Sequence, residues 1–268
     1  MKPAAFQYQR VRSVDEAIAA LAEPGAKVIA GGQSLVPLMN FRLSRPEKLV
    51  DINDVKELSG VTQEGGVLRV GALTRHRVLA SDALVGQVLP VLQKAARHIG
   101  HWAIQNRGTI GGSVVHADPA GELPAALVAL EATLLIRGPE GERTIPAQEF
   151  FQGFYTTALS ENELLVRIEF PLRPRRMGFD EVARRPGDFA LVGAYVEVGQ
   201  RGGAVTWFGL LGRPERQATD AWPSDAAGRE AKFEALCRQN ALDPEDEYKY
   251  QVAATVAERA YQDALKEG

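Results

Sequence analysis

Two glycine-rich segments constrain this chain of 268 residues more than any other feature of its sequence. The first, A-G-G-Q-S-L-V-P, occupies residues 30–37, and the second, N-R-G-T-I-G-G-S, occupies residues 106–113. Each segment joins adjacent glycines to a hydroxyl residue. Because glycine lacks a Cβ atom, backbone N–H groups at such a segment can approach phosphate oxygens while Ser or Thr hydroxyls donate beside them. Two loops of this kind are suited to enclosing one pyrophosphate.

Neither segment fits a common nucleotide fingerprint. The sequence has no G-x-G-x-x-G opening a helix after a strand and no G-x-x-x-x-G-K-[ST]. Taken alone, each Gly-Gly pair also fits a tight turn, so that alternative stays open. The second segment runs into the polar, turn-rich H-A-D-P-A-G-E-L-P at residues 116–124 and then into the apolar A-A-L-V-A-L. This concentration of glycine, proline and polar residues favours a ligand-binding loop.

Composition excludes several classes of protein. A formal net charge of −3 and a hydrophobic content of 45% are typical of a soluble globular protein and argue against a general nucleic-acid binder. No segment reaches the ~18 uninterrupted apolar residues of a membrane helix, and the first residues lack the apolar core of a signal peptide. We therefore expect a cytoplasmic protein. The single cysteine, Cys237, excludes an internal disulfide and a cysteine-ligated metal or iron–sulfur site, and its helical spacing predicts a buried structural thiol.

The N-terminal pattern predicts a small parallel α/β unit. Ser13 is a suitable cap for the helix that follows it, and Gly25 is placed to end that helix. K-V-I-A then reads as a buried strand that leads into the first glycine segment, followed by a helix over residues 35–43 and a strand over residues 49–52. This order places the first glycine segment at the carboxyl end of a strand.

Beyond residue 65 the pattern predicts a mainly antiparallel sheet with a few helices, one beginning near Thr74 and one over residues 88–99. The Pro- and Arg-rich residues 171–176 suit an exposed connector between domains. The last third predicts an antiparallel hairpin about residues 200–203, helices from Ala226 onward, and one buried helix face. That face is formed by Val252, Val256, Ala260 and Ala264.

The histidines raise a metal alternative. His98 and His101, with His116 and Asp118 downstream, formally resemble a zinc or iron ligand set. No His-Glu-x-x-His or related ligand pattern supports them, and we expect no metal site. The sequence also lacks the G-x-S-x-G of a serine hydrolase. This absence argues against hydrolase chemistry, and the sequence offers no candidate set of catalytic polar groups for a self-contained enzyme.

Both glycine segments, in this order, resemble the signatures of the FAD-binding medium subunits of the molybdenum hydroxylases, the family of carbon monoxide dehydrogenase and xanthine dehydrogenase. The family's first signature is A-G-G-[HQ]-S-L-[ILV]-P, and its second is N-R-G-T-I-G-G-S/N followed by an acidic segment that here ends at Pro124. R-R-P-G-D-F-A at residues 184–190 and the helical segment 247–260 resemble two further family segments. The similarity extends over essentially the whole chain.

The resemblance implies an α+β protein with the vanillyl-alcohol-oxidase-type (PCMH-type) FAD-binding fold. It implies a small N-terminal α/β subdomain at residues 1–55, a larger, mainly antiparallel α+β subdomain at residues 56–175, and a C-terminal α+β domain at residues 176–268. The implied cofactor is FAD.

The family's binding residues carry over by position. The two implied pyrophosphate loops comprise Ala30, Gly31, Gly32, Gln33 and Ser34 in the first, and Thr109, Ile110, Gly111, Gly112 and Ser113 in the second. Asp118 and Glu122 match positions near the ribose and ribityl hydroxyls. Asp188 and Phe189 match a loop beside the isoalloxazine ring. From the residues alone, Glu122 also fits a cap of the helix over residues 123–130.

The resemblance implies an electron-transfer role within a complex. Substrate is oxidised at molybdenum in a large subunit, electrons cross the [2Fe–2S] clusters of a small subunit, and the FAD of this chain passes them to an external acceptor. The complex is expected to be a dimer of heterotrimers. Two alternatives stay open: a self-contained FAD-dependent reductase or oxidase of the same fold, and a nucleotide-binding module without redox chemistry.

Overall fold

The protein is described by a computed structural model that covers residues 1–239 and 246–266. The strands are β1 (Gln7–Arg10), β2 (Ala26–Ile29), β3 (Lys48–Asp51), β4 (Val61–Glu64), β5 (Val67–Gly71), β6 (Thr133–Gly138), β7 (Gly141–Pro146), β8 (Phe151–Gly153), β9 (Thr156–Thr157), β10 (Leu164–Pro171), β11 (Arg176–Ala183), β12 (Ala190–Val198), β13 (Gly203–Phe208) and β14 (Glu215–Thr219). The helices are α1 (Val14–Leu21), α2 (Leu35–Asn40), α3 (His76–Ser81), α4 (Ala83–Val88), α5 (Pro90–His98), α6 (Trp102–Arg107), α7 (Ile110–His116), α8 (Glu122–Ala129), α9 (Ala147–Phe150), α10 (Ala226–Arg238) and α11 (Glu247–Lys266), with a 3-10 turn at Lys56–Leu58.

The N-terminal sheet is wholly parallel, in the order β1-β3-β2. Helix α1 begins where the Ser13 hydroxyl accepts a hydrogen bond from the backbone N–H of Glu16, at 3.2 Å, which satisfies a donor that the first turn leaves unpaired. Ala17 and Leu21 of α1 join the apolar core of this sheet. The predicted parallel α/β unit is confirmed, and the first glycine segment directly follows the carboxyl end of β2.

The second sheet is antiparallel, in the order β4-β5-β10-β6-β7. Helix α8 is buried along its whole length because it packs against both α5 and α7 and also against β12 and β13 of the next sheet. Leu127 of α8 lies in the same core as Phe170 of β10 and Phe208 of β13. Apolar packing therefore continues from the second sheet into the C-terminal part.

The third sheet is antiparallel, in the order β11-β12-β13-β14, and α10 and α11 pack on it. The predicted hairpin is confirmed, since β12 pairs with β13 and Val198 lies opposite Gly203. Of the predicted apolar face on α11, three residues are buried and Val252 is partly buried. Cys237 is the buried structural thiol predicted from its spacing: its S–H donates to the carbonyl of Glu234, and burial raises its pKa to about 12.

Three local predictions are wrong, one because of a tertiary contact and one because Pro90 disfavours helical backbone at the Leu89 that precedes it. Thr74 does not cap a helix, because its hydroxyl bonds to both the N–H and the carbonyl of Gly60, and α3 begins only at His76. Helix α2 ends at Asn40, and Arg42 adopts a left-handed conformation with φ of 60°. The helix expected over residues 88–99 is two helices, α4 and α5, joined at Leu89.

None of the helices within the described residues is both long and apolar enough to cross a membrane.

Candidate functional site

The first glycine loop, residues 30–34, offers free backbone donors. Gly32 has a φ of +74°, a left-handed conformation that glycine adopts without strain. The Gln33 side-chain amide donates to the carbonyl of Gly31 at 3.0 Å and so holds the loop in shape. Within residues 1–239 and 246–266, no group accepts a hydrogen bond from the N–H of Gly32, Gln33 or Ser34, and the Ser34 hydroxyl does not cap α2. The loop therefore presents several donors that are suited to an anion.

The second glycine loop is built differently. The N–H of Ile110 donates to the carbonyl of Thr74 at 3.0 Å, and the N–H of Gly111 donates to that of Ala72 at 2.8 Å. The Thr109 hydroxyl caps α7 by accepting from the N–H of Gly112 at 3.0 Å. Because these N–H groups are engaged within the chain, the second loop is left with hydroxyls rather than a row of free amides.

Gly111 is required by packing. A Cβ at this position would lie 2.7 Å from both the Cβ and the carbonyl oxygen of Ala72. The missing side chain lets α7 approach Ala72, the residue that follows β5. Tight packing therefore explains the glycine at this position without access of phosphate to the backbone.

The two loops touch each other at Gly31. A Cβ built on Gly31 would overlap the carbonyl oxygen of Arg107 and would lie 2.8 Å from the Cα of Gly108. The first loop therefore lies flush against the chain that enters the second. This contact brings the two predicted segments together into one site.

Asn53 and Arg75 fix this junction, and sequence analysis missed both. The Asn53 amide donates to the carbonyl of Ala30 at 2.8 Å and to Asp51 Oδ1 at 2.6 Å. Its Oδ1 accepts from the Arg75 guanidinium at 2.6 Å, and that guanidinium also donates to the carbonyl of Arg107. We call this chain of bonds the Asn53–Arg75 bridge. It ties the first loop to the second through side chains that no local sequence pattern marks.

Replacing Asn53 by Asp is expected to weaken the binding of FAD, the cofactor that the resemblance implies. The carboxylate cannot donate to Ala30 and adds a second negative charge beside Asp51, so the bridge opens. The loss of a partly buried hydrogen bond of this kind costs about 1–2 kcal/mol, or about tenfold in Kd. Titration of the deflavinated chain with FAD measures the change. Gln63→Glu makes the same amide-to-carboxylate change on the exposed strand β4 and is the control; equal Kd values for the two variants would contradict a role for the bridge.

Arg75 and Arg107 place positive charge where the loops meet, and the negative charge of Asp51 acts on Arg75 as well. Burial, together with the neighbouring charge of Arg107, lowers the pKa of Arg75 from its usual value. Arg75 makes hydrogen bonds only to neutral oxygens, those of Asn53 and Arg107, among the described residues. Burial lowers the pKa of His116 as well, and the charge of Lys27 adds to that effect. A half-buried guanidinium with neutral partners favours an anionic ligand nearby.

The predicted sugar-binding carboxylates lie beyond the C-terminus of α7. Asp118 Oδ1 accepts from the N–H of Ala120 at 2.9 Å, and Oδ2 accepts from the Tyr155 hydroxyl at 3.2 Å. Ser113 lies within α7, whereas Asp118 follows the left-handed Ala117 that ends this helix. The carboxylate is thus set back from the glycine loops, which suits hydroxyl recognition better than contact with a diphosphate.

Glu122 is a buried acid and not a helix cap. It is the first residue of α8, Gly121 occupies the capping position, and no side-chain cap is made. Its side chain is 4% exposed. Burial, with the charges of Glu181 and Asp118, raises its pKa to about 8. The capping alternative is therefore wrong, and at neutral pH the carboxyl is largely protonated and able to donate as well as accept.

Glu122→Gln is expected to change how stability depends on pH. The folded chain keeps a proton that the unfolded chain releases above its ordinary pKa of 4.5, so the free energy of unfolding of the wild type falls as pH rises from 4.5 to about 8. The free energy of unfolding of the variant does not fall in this way. Relative to the wild type it should rise by about 1–3 kcal/mol between about pH 5 and pH 8. Urea unfolding of the flavin-free chain tests this, with the exposed Glu149→Gln as control. A difference that does not change with pH would contradict it.

Asp188 and Phe189 lie on an exposed loop that leads into β12. The loop turns where the N–H of Asp188 donates to the carbonyl of Arg185, at 3.1 Å, and Phe189 is 58% exposed. Gly209 connects this loop to the Asp118 segment. Its N–H donates to the carbonyl of Pro119 at 2.9 Å, and it lies against the carbonyls of residues 190 and 191, where β12 begins.

The histidines of the metal alternative lie in separate surroundings. His98 contacts Glu181 at 3.2 Å and meets the Phe179 ring edge-on. His101 lies against Gly187, and His116 packs on Tyr155. Over the described part of the chain, no group of three or more His, Cys, Asp or Glu side chains is arranged to hold a metal ion.

The loops fit a diphosphate by their chemistry. The first supplies unengaged N–H groups, the second supplies hydroxyls, and Arg75 supplies positive charge at their junction. This donor set is suited to the pyrophosphate of a dinucleotide.

Comparison with known proteins identifies the family. Residues 4–173 match the family described as the FAD binding domain in molybdopterin dehydrogenase. The chain is 47% identical over 198 residues to the 6-hydroxypseudooxynicotine dehydrogenase complex subunit alpha of Paenarthrobacter nicotinovorans, over 72% of this chain and 67% of that protein. It is 41% identical over 210 residues to the carbon monoxide dehydrogenase medium chain of Hydrogenophaga pseudoflava, over 77% of this chain and 73% of that protein.

Solved structures extend the similarity to the C-terminal part. A chain of quinoline 2-oxidoreductase from Pseudomonas putida 86 superposes with a TM-score of 0.91 at 33% identity, over 99% of each chain. A chain of carbon monoxide dehydrogenase from Hydrogenophaga pseudoflava gives 0.90 at 34% identity, again over 99% of each.

The chain therefore belongs to the family of FAD-binding subunits of the molybdenum hydroxylases. It is an FAD-dependent oxidoreductase subunit with the α+β, PCMH-type fold that the two glycine signatures predicted.

Proposed function

We propose that this chain receives electrons from the [2Fe–2S] clusters of a small partner subunit and delivers them through FAD to an external acceptor, within a complex whose large subunit holds the molybdenum cofactor. The observation that carries this proposal is the joined pair of glycine loops in a chain whose one cysteine is buried and bonded to a helix carbonyl. Iron–sulfur clusters need several thiolates, so they must belong to another subunit.

The residues of the chain bind and orient the cofactor. The N–H groups of Gly32, Gln33 and Ser34 would hold the diphosphate together with the hydroxyls of Thr109 and Ser113. Ala30 and Gly31 shape the first loop, and Ile110, Gly111 and Gly112 fix the second against the sheet. When bound, FAD accepts two electrons and releases them together or singly, which suits a junction between one-electron and two-electron carriers.

The remaining positions complete the proposal. Asp118 and Glu122 would bond the ribose and ribityl hydroxyls, and Asp188 and Phe189 would lie beside the isoalloxazine ring. We retain the division into residues 1–55, 56–175 and 176–268, of which residues 240–245 and 267–268 lie outside the described part. We also retain a cytoplasmic location and a dimer of heterotrimers.

The flavin content of the purified chain tests the binding part of this proposal. We expect one FAD per chain, with the near-ultraviolet and blue absorption bands of a flavin, and bleaching of the blue band by dithionite. Organic substrates added without the other subunits should leave the flavin oxidised. A chain that binds nucleotide but no flavin would instead be a non-redox module, and rapid reduction by an organic substrate alone would identify a self-contained oxidoreductase.

A further inference from the structure

His76 lies buried directly behind the second glycine loop. It is the first residue of α3 and is 3% exposed. Its backbone N–H donates to the carbonyl of Gly108 at 3.1 Å. The imidazole packs so closely on Gly108 that a Cβ there would lie 2.7 Å from ring atoms Nδ1 and Cε1. The ring therefore has little freedom to turn.

The two ring nitrogens have unequal surroundings. Nε2 lies 3.0 Å from Oγ of Ser113, a residue of the second loop. Nδ1 is buried and has no hydrogen-bond partner among residues 1–239 and 246–266. Burial lowers the pKa of His76 to about 4, against the effect of a backbone hydrogen bond to Thr109. The ring is therefore neutral near pH 7 and carries a single N–H.

Placing that proton on Nδ1 would bury an N–H against Gly108 with no acceptor. An unsatisfied buried N–H is among the rarest defects in folded proteins. Placing the proton on Nε2 leaves only a lone pair unpaired at Nδ1 and gives the N–H acceptors in Ser113 and in the backbone of Thr109. The second arrangement leaves the smaller defect.

We propose that His76 is a positioning residue that donates Nε2–H to Ser113, so that the Ser113 hydroxyl must direct its own proton outward to a phosphate oxygen of FAD. This inference rests on the proposed function, because it takes the occupant of the loops to be FAD. A hydroxyl that already accepts from a neutral donor is oriented as a donor, and a donor is what an anion requires.

The affinity test compares four variants of the full-length chain after removal of FAD. Ser113→Ala removes the hydroxyl, and His76→Met removes the N–H at similar side-chain length. Each should raise the Kd for FAD about 10- to 100-fold, as for a lost hydrogen bond to a charged group. The double variant should be no weaker than the worse single variant, because both remove the same bond. His76→Gln, whose amide nitrogen can replace Nε2, should bind within about threefold of the wild type.

The matched control is Ser81→Ala, which removes an exposed hydroxyl that donates to a carbonyl within α3; its Kd should equal that of the wild type. Multiplicative losses in the double variant, or a His76→Gln variant as weak as His76→Met, would overturn the proposal.

A spectroscopic test needs no variant. Long-range ¹H–¹⁵N correlation spectra of the full chain labelled at histidine distinguish protonated from unprotonated ring nitrogens. We expect the His76 signals to show a proton on Nε2 and none on Nδ1. A proton on Nδ1 would overturn the proposal. The protonated ring nitrogen can be identified without bound FAD. A chain that failed to bind FAD would therefore refute the proposed function, and the position of the His76 proton would still test the role of His76.

Discussion

Gly31→Ala is expected to weaken the binding of FAD to this chain. The new methyl group would overlap the carbonyl oxygen of Arg107, so the two glycine loops could not remain in contact. Because the overlapping partner is backbone held by the Arg75 guanidinium, it cannot simply turn aside. Overpacking of this kind costs about 1–3 kcal/mol, which corresponds to about a 10- to 100-fold higher Kd for FAD. Fluorescence titration of the deflavinated chain with FAD measures this Kd.

Gly153→Ala is the matched control, because a Cβ at Gly153 meets no atom within 4 Å. We expect its affinity for FAD to equal that of the wild type. Gly111→Val serves less well as a test of cofactor contact, because its Cβ would strike Ala72 and disturb the second sheet itself. Normal FAD binding by Gly31→Ala would contradict the joined-loop site.

Glu258→Met is expected to cause the largest loss of stability. Glu258 accepts two hydrogen bonds from the Arg229 guanidinium, at 2.9 and 2.7 Å, and both side chains are buried between α10 and α11. The variant leaves a buried guanidinium without its counter-charge, which costs about 3–5 kcal/mol. Urea denaturation should therefore show an earlier transition for the C-terminal part. The Arg229 contacts with the carbonyls of Pro223 and Ser224 remain and set a limit to the loss.

Two comparisons separate the buried charge from other effects. Arg229→Met combined with Glu258→Met should recover most of the loss, because apolar side chains replace both ions. Arg137→Met breaks a pair with Asp15 in which the two side chains are 36% and 76% exposed, and should cost less than about 1 kcal/mol. Equal losses for the buried and the exposed pair would contradict the assignment.

The sequence predicts an element correctly where contacts between neighbouring residues determine its structure. Ser13 caps α1 as its hydroxyl predicts, and the hairpin between β12 and β13 follows from alternating apolar residues and a glycine-containing turn. The family signatures supplied the rest of the fold. Thr74 shows the opposite case: a residue suited to capping a helix is instead bonded to Gly60 on a neighbouring segment.

The parts of the site that sequence analysis missed depend on contacts between distant residues. Asn53, Arg75 and His76 lie between the two glycine segments in sequence and belong to neither motif. Their roles arise because folding places Asn53 beside Ala30, Arg75 beside Arg107, and His76 beside Ser113. No spacing rule predicts such contacts. The second loop shows a related limit, since the sequence marks Gly111 as special without distinguishing tight packing from phosphate contact.

The most direct test of the proposed electron relay is reduction of the flavin of this chain by a partner [2Fe–2S] subunit. The small subunit is reduced with dithionite, freed of excess reductant, and mixed anaerobically with the FAD-loaded chain while flavin and cluster absorbance are followed. The proposal predicts rapid bleaching of the flavin, with one FAD reduced for every two electrons that the clusters lose. A flavin that stays oxidised while the clusters remain reduced would contradict it.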